Sequence, residues 1–151
     1  MCHNPTYLMK SKFLNRLKEK IIVFDGAMGT QLQARNLSAD DFNGLDGCNE
    51  ILVETHPEII KEIHAAYFEV GADIVETNSF GSSAIVLAEY DIAGKTYELS
   101  RRSAELARQV ADDFSTSSWP RFVSGSVGPS TKLPTLGHIT FDKMFEAYYP
   151  H

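Results

Sequence analysis

Asp25 stands where an apolar run stops. Ile21, Ile22, Val23 and Phe24 precede it, and Gly26-Ala27-Met28-Gly29-Thr30 follow it. Apolar residues rich in β-branching and halted by Gly predict a strand buried on both faces. The glycines let the backbone approach a ligand closely, since they carry no Cβ. The helix expected to follow would leave the first N–H groups of 26–30 unpaired, which suits a carboxylate or phosphate. Asp25 would then hold a cationic group beside that anion site. A zwitterion such as an amino acid meets both demands. The plainer alternative is a tight strand–helix turn in which Asp25 caps the helix.

Two further segments repeat the design. Ala72-Asp73-Ile74-Val75 runs into Glu76-Thr77-Asn78-Ser79-Phe80-Gly81, and a helix-like stretch from Ser82 to Tyr90 follows. Phe122-Val123-Ser124 runs into Gly125-Ser126-Val127-Gly128-Pro129. Side chains alternate along a strand, so Glu76 and Asn78 would share one face and Thr77 the other. Asn78 is a candidate to bond a ligand or a loop, Glu76 an internal hydrogen-bonding residue, and Ser126 a small polar group at a strand end. Strands alternating with helices argue for βαβ units and a parallel sheet, with ligand groups gathered at the carboxyl ends of the strands.

The elements that must position these groups are readable in outline. Residues 1–9 are expected to be loosely attached. Residues 10–20 predict a lead-in helix with Lys10, Lys12, Arg16, Lys18 and Lys20 on a solvated face and Phe13, Leu14 and Leu17 between them. Strand one spans 21–25 and a first helix 28–36. An irregular loop rich in Asp, Asn and Gly occupies 36–49. Pro57 marks a helix start, with Thr55 or His56 as its cap. Ile59, Ile60, Ile63, Tyr67 and Val70 keep helical spacing until Gly71 ends the run. Gly94 separates two helical stretches, the second over 95–113, and Ser115-Thr116-Ser117-Ser118 leads into strand three.

The segments DGAMGT, GADIVETNSFGS and GSVGPS, in this order, resemble the N-terminal part of the homocysteine-binding domain of cobalamin-dependent methionine synthases, in the homocysteine S-methyltransferase family. Gly47 to Leu52, Thr55 to Ile60, Ile63 to Asp73 and Ile139 to Asp142 fit the same pattern, so the resemblance runs from about Ile21 to Tyr149. It implies an α/β fold: the first three βα units of a (β/α)8 TIM barrel, with inserted helices. Since such a barrel takes about 250 residues, the sequence would be less than half of one. The implied organisation is an N-terminal segment over 1–20 and an incomplete homocysteine-binding barrel over 21–151.

The resemblance also implies a reaction, the transfer of a methyl group onto the sulfur of homocysteine to give methionine. Family members bind that sulfur on zinc held by three cysteine thiolates, and the metal keeps it a thiolate at neutral pH. The cobalamin-dependent members take the methyl group from methylcobalamin. The zinc cysteines come from later barrel strands that match nothing in this sequence. The expected contribution is therefore amino-acid recognition by Asp25, Gly26, Ala27, Met28, Gly29, Thr30, Glu76, Asn78 and Ser126. The isolated chain is expected to hold no zinc or methylcobalamin and to transfer no methyl group. Expected partners are homocysteine, the remaining barrel half and, in a longer chain, pterin- and cobalamin-binding domains. Two alternatives stay open. One is a non-catalytic module that binds amino acids or self-associates through an open sheet edge. The other is an unrelated barrel enzyme, disfavoured because Lys132 lies in a loop and no Lys ends a strand.

Composition narrows the classes further. With 14 Lys and Arg against 20 Asp and Glu, the net charge is −6, and no basic patch interleaved with aromatics suggests nucleic acid. No apolar run approaches the roughly 20 residues of a membrane span, so a cytoplasmic setting is expected. The two cysteines, Cys2 and Cys48, suggest neither a disulfide framework nor a metal site. His56 lies beside a helix start, His64 at the flank of a helix, and His138 in a loop; none is paired with a cysteine.

Overall fold

The computed structural model describes residues 11–151. Helix α1 (Lys12–Glu19) is capped by Ser11, whose hydroxyl accepts the Leu14 N–H. None of its residues is buried, in keeping with a solvated face. Phe13 sets its ring edge-on to Phe122, with centroids 5.4 Å apart, and ties the helix to the sheet. Asp73, at 0% exposure, accepts hydrogen bonds from Lys20 Nζ, the Val23 N–H and Trp119 Nε1, so one buried carboxylate joins three chain segments. The Arg121 guanidinium lies 3.6 Å from the Trp119 ring centroid and donates to the Ala72 carbonyl.

The sheet is parallel. Strand β1 (Ile74–Glu76) pairs with β2 (Phe122–Ser124) in the register Ile74–Phe122, Val75–Val123, Glu76–Ser124. On the other side of β1, Phe24 forms a single parallel bridge with Ile74. The expected strand over 21–25 is thus reduced to one bridge. It is not buried on both faces either, for Ile21 is 87% exposed, Val23 51% and Phe24 49%. The reason is its edge position. Val23 and Asp25 point their backbone groups toward β1, while nothing among the described residues covers the outer side.

Helix α2 (Met28–Gln33) is shorter than the predicted 28–36, since Asn36 turns left-handed at φ 53°. A turn-rich segment follows to Asn49, reversing at Asn43, Gly44 and Gly47, all with positive φ. A 3-10 turn (Asn49–Ile51) leads into α3 (Leu52–Thr55) and α4 (Pro57–Glu69). Pro57 sits in the first turn of α4, where its missing N–H costs nothing. His56 holds the cap position by backbone alone. Its imidazole lies 2.9 Å from both Asp41 and Glu58. Gly71, at φ 106°, reverses the chain into β1.

Helix α5 (Ala84–Leu87) continues as a 3-10 turn to Tyr90 and ends at Asp91 in the left-handed region. Gly94 does not separate two stretches. It lies inside a 3-10 turn that runs straight into α6 (Thr96–Phe114). Helix α7 (Phe141–Tyr148) is capped by the Thr140 hydroxyl, which accepts the Lys143 N–H. Helices α4 and α6 pack on the sheet and divide the core. Phe68, Ala72, Val75, Ala107 and Val110 fill the layer beneath the strands, and Leu52, Ile60, Ile63, Leu87, Leu99 and Leu106 fill the layer between helices. Burial of each such Leu or Ile contributes about 1.5–3 kcal/mol.

His64 departs from its expected place. It is fully buried, on the same face of α4 as Ile60 and Phe68, rather than at the helix flank. Neither ring nitrogen has a partner, and burial pushes its pKa down to about 4. Among the described residues no helix is long and apolar enough to cross a membrane.

Candidate functional site

The three parallel segments deliver their carboxyl ends to one cavity of about 620 Å³. Its walls include Asp25, Gly26, Ala27, Met28 and Gly29 from the first turn, Glu76 and Asn78 from the end of β1, and Ser126 beyond β2. Of the nine predicted residues only Thr30 is not a wall; its hydroxyl turns back to donate to the Ala27 carbonyl at 3.2 Å.

Asp25 is held by the neighbouring strand. Its backbone N–H donates to the Ile74 carbonyl, and its Oδ2 accepts the Glu76 N–H at 3.1 Å. It does not cap α2, because Ala27 occupies the cap position with no side-chain bond. The first N–H groups of α2 are accordingly left outside the helical ladder, beside the cavity. Burial, reinforced by the Glu76 charge against the opposing amide bond, raises the Asp25 pKa to about 6. Asp25 is still mainly ionised at neutral pH, so the cavity offers a carboxylate beside free amide donors. Gly26 packs closely against Tyr67. A Cβ would lie 3.0 Å from the Tyr67 hydroxyl, which reaches from α4 to donate to the Ala27 carbonyl.

Glu76, Thr77 and Asn78 follow one another at the carboxyl end of β1. β1 ends at Glu76, and all three residues line the cavity. Thr77 is buried and couples two strand ends: its Oγ1 accepts the Ser126 N–H at 2.9 Å and meets the Ser79 hydroxyl at 2.7 Å. Ser79 Oγ in turn donates to the Ser126 carbonyl. Asn78 bonds a loop, its Nδ2 donating to the Asn49 carbonyl at 2.8 Å.

Phe24, Asn49, Glu50 and Phe80 also line the cavity, and residue chemistry had not singled them out. Asn49 and Glu50 come from a turn far away in sequence, so no local pattern announces them. The sequence signal for them is the segment Gly47 to Leu52, which fits the family pattern without assigning a role to either residue.

A zinc site of three thiolates does not fit the described residues, which hold no group of three His, Cys, Asp or Glu side chains able to bind a metal. Cys48 is wholly buried, and burial together with Glu50 pushes its thiol up to about 11. His138 is exposed in its loop, with Nδ1 accepting the Leu133 N–H.

Comparison with known proteins agrees with this architecture. The chain is 53% identical over 135 residues to the methionine synthase of Mycobacterium leprae, covering 89% of the chain and 11% of the relative. It is 50% identical over 142 residues to that of Mycobacterium tuberculosis, covering 94% and 12%. The chain thus spans about a tenth of the length of these curated relatives. The crystal structure of the metallated form of the homocysteine methyltransferase MmuM from Escherichia coli superposes with a TM-score of 0.72 at 24% identity, covering 90% of the chain and 50% of MmuM, and shows a shared fold. The oxidized form gives a TM-score of 0.62 at 30% identity, covering 84% and 41%. The family model for homocysteine S-methyltransferases matches residues 22–151, and the chain belongs to that family.

Proposed function

We propose that this chain supplies the amino-acid cradle of a homocysteine S-methyltransferase of the methionine synthase kind. One observation carries the proposal: Asp25, the Gly26–Gly29 amides, Glu76, Asn78 and Ser126, chosen for their chemistry, line one cavity. In this reading Asp25 binds the ammonium of homocysteine, and the free amides at the start of α2 receive its carboxylate. Glu76 adds negative potential on the ammonium side, and Asn78 and Ser126 shape the wall. Residues 21–151 form the first three βα units of a (β/α)8 barrel, preceded by the 1–20 segment. In the whole protein the remaining barrel, with zinc, would hold the sulfur, and methylcobalamin bound by further domains would supply the methyl group. The chain's own residues bind and orient the amino-acid end only. The proposed setting is cytoplasmic.

Chemical-shift mapping with L-homocysteine tests this. Perturbations should centre on Asp25–Gly29, Glu76, Asn78 and Ser126, and should disappear in Asp25→Ala. Saturating homocysteine with no response at these amides would overturn the reading. The exposed edge at Ile21, Val23 and Phe24 favours a second reading, self-association through an unpaired strand. A concentration-dependent sedimentation coefficient that Ile21→Lys abolishes would support it.

A further inference from the structure

The turn over 48–51 and the loop over 78–81 face each other across the rim of the cavity, and two hydrogen bonds join them. Asn78 Nδ2 donates to the Asn49 carbonyl at 2.8 Å, and the Gly81 N–H donates to Glu50 Oε1 at 2.7 Å. The other side of the same loop is gripped from beyond β2, where the Gly128 N–H donates to the Phe80 carbonyl at 2.9 Å. Phe80 lies between these two grips, with its ring 60% exposed in the cavity wall.

The packing around Gly81 reflects the same contact. Its φ is not in the left-handed region, so its backbone does not demand glycine. A side chain there would have to push Glu50 away: a Cβ on residue 81 would sit 2.7 Å from Oε1 and 3.0 Å from Cδ. The absence of a side chain at 81 lets the carboxylate lie against the backbone. The other oxygen of Glu50, Oε2, is 3.9 Å from Cys48 Sγ, which fixes the carboxylate from behind.

We infer that Glu50 is a positioning residue, a clasp that holds the Phe80–Gly81 loop against the 48–51 turn and so sets the wall facing Asp25. The inference rests on the proposed use of this cavity for homocysteine and adds a role for a residue that need not touch the ligand. Acceptor geometry, not charge, is what the clasp requires. Gln can accept the Gly81 N–H as Glu does, and Ala cannot.

The test compares Glu50→Ala, Glu50→Gln, Gly81→Ala and the Glu50→Ala/Gly81→Ala double variant in the whole 151-residue chain. Readouts are amide hydrogen exchange over 79–82 and homocysteine affinity by titration. Glu50→Ala should speed exchange at residue 81 at least tenfold and weaken homocysteine binding by about tenfold, while Glu50→Gln stays within threefold of the parent in both. Gly81→Ala should reproduce Glu50→Ala by displacing the carboxylate, and the double variant should be no worse than either single one. Losses in Glu50→Gln equal to those in Glu50→Ala would overturn the clasp in favour of a direct charge role. Unchanged exchange in Glu50→Ala, or additive losses in the double variant, would also overturn it. Should Glu50→Ala fail to fold, Glu50→Gln and Gly81→Ala still decide. A parent chain that binds no homocysteine refutes the proposed function, and the clasp is then judged on exchange alone.

Discussion

Asp25 and Glu76 are coupled through the backbone: the carboxylate of the first accepts the N–H of the second at 3.1 Å, across the gap between two parallel segments. The bond aims Asp25 along the cavity wall and away from the helix it precedes. Burial, with the Glu76 charge beside it, keeps the Asp25 proton on until about pH 6. Homocysteine binding should therefore strengthen as pH rises through about 6, as the carboxylate that receives the ammonium ionises. Asp25→Asn should cost about 1.5–3 kcal/mol of binding, the range for a charged hydrogen bond. The same substitution should raise fold stability at pH 7. A carboxyl whose folded pKa is raised stabilises the fold below its unfolded value near 3.8, and that contribution is lost as pH climbs to 6. Calorimetric titration and urea melts across pH 4–8 measure both effects. Binding that is flat through pH 6 would remove Asp25 from the role.

Thr77 should matter for stability more than its size suggests. Thr77→Val keeps the shape but leaves the buried Ser126 N–H without its acceptor and Ser79 with the Ser126 carbonyl alone. An orphaned buried donor costs about 1–3 kcal/mol. Urea unfolding should show a loss in that range, with a smaller one for Ser79→Ala. Equal stability for Thr77→Val would mean that the two strand ends do not depend on this bond.

Sequence alone revealed the strand ends well and the loops that join them poorly. β1 is legible because the β-branched pair Ile74 and Val75 stands between the Gly71 stop and the polar residues from Glu76. The bracketing of α4 by Pro57 and Gly71 follows from rules internal to the chain. Strand one is shorter and more exposed than expected because burial on both faces needs neighbours, and among the described residues Val23 to Asp25 pair with β1 alone. His64 is expected at the flank of its helix and lies on the buried face instead. Its spacing of four from Ile60 and from Phe68 already put it on the buried face. Glu50 was invisible for a different reason. Its contact with Gly81 joins residues 31 positions apart, and nothing near either residue reports it.

Two glycines in the third segment should respond unequally to alanine. At Gly128 a Cβ would lie 2.5 Å from the Phe80 carbonyl oxygen, a backbone atom that cannot step aside. Gly128→Ala should break the Gly128–Phe80 hydrogen bond and cost about 1–3 kcal/mol, as overpacking does. Gly125 has nothing within 4 Å of a built Cβ, and Gly125→Ala should stay within about 0.5 kcal/mol of the parent. Paired thermal melts decide the contrast.

His64 sets an acid limit on the fold. Its imidazole is buried and unpartnered, so the folded state holds it neutral down to about pH 4. The unfolded chain takes up the proton near pH 6.5. Stability from this group is therefore complete above 6.5 and is lost as pH falls toward 4, a total of about 3 kcal/mol. His64→Leu should flatten the acid limb of the stability curve and exceed the parent at pH 5. Parallel curves for the two proteins between pH 4 and 7 would show that the imidazole is protonated or paired in solution.

Cys48 bears on the metal. Zinc takes the thiolate, and a thiol held at about 11 must surrender its proton at a cost on the order of 5 kcal/mol at pH 7 before it can ligate. It must also leave a core in which it is 0% exposed. No second thiol stands beside it among the described residues to share the ion. The purified chain should therefore hold well under one equivalent of zinc after dialysis, and Cys48→Ser should leave that amount unchanged. With homocysteine and methylcobalamin added, no methionine should form above the uncatalysed background. One tightly held zinc per chain, lost in Cys48→Ser, would mean that the core opens to admit the metal and that this segment supplies sulfur ligands itself.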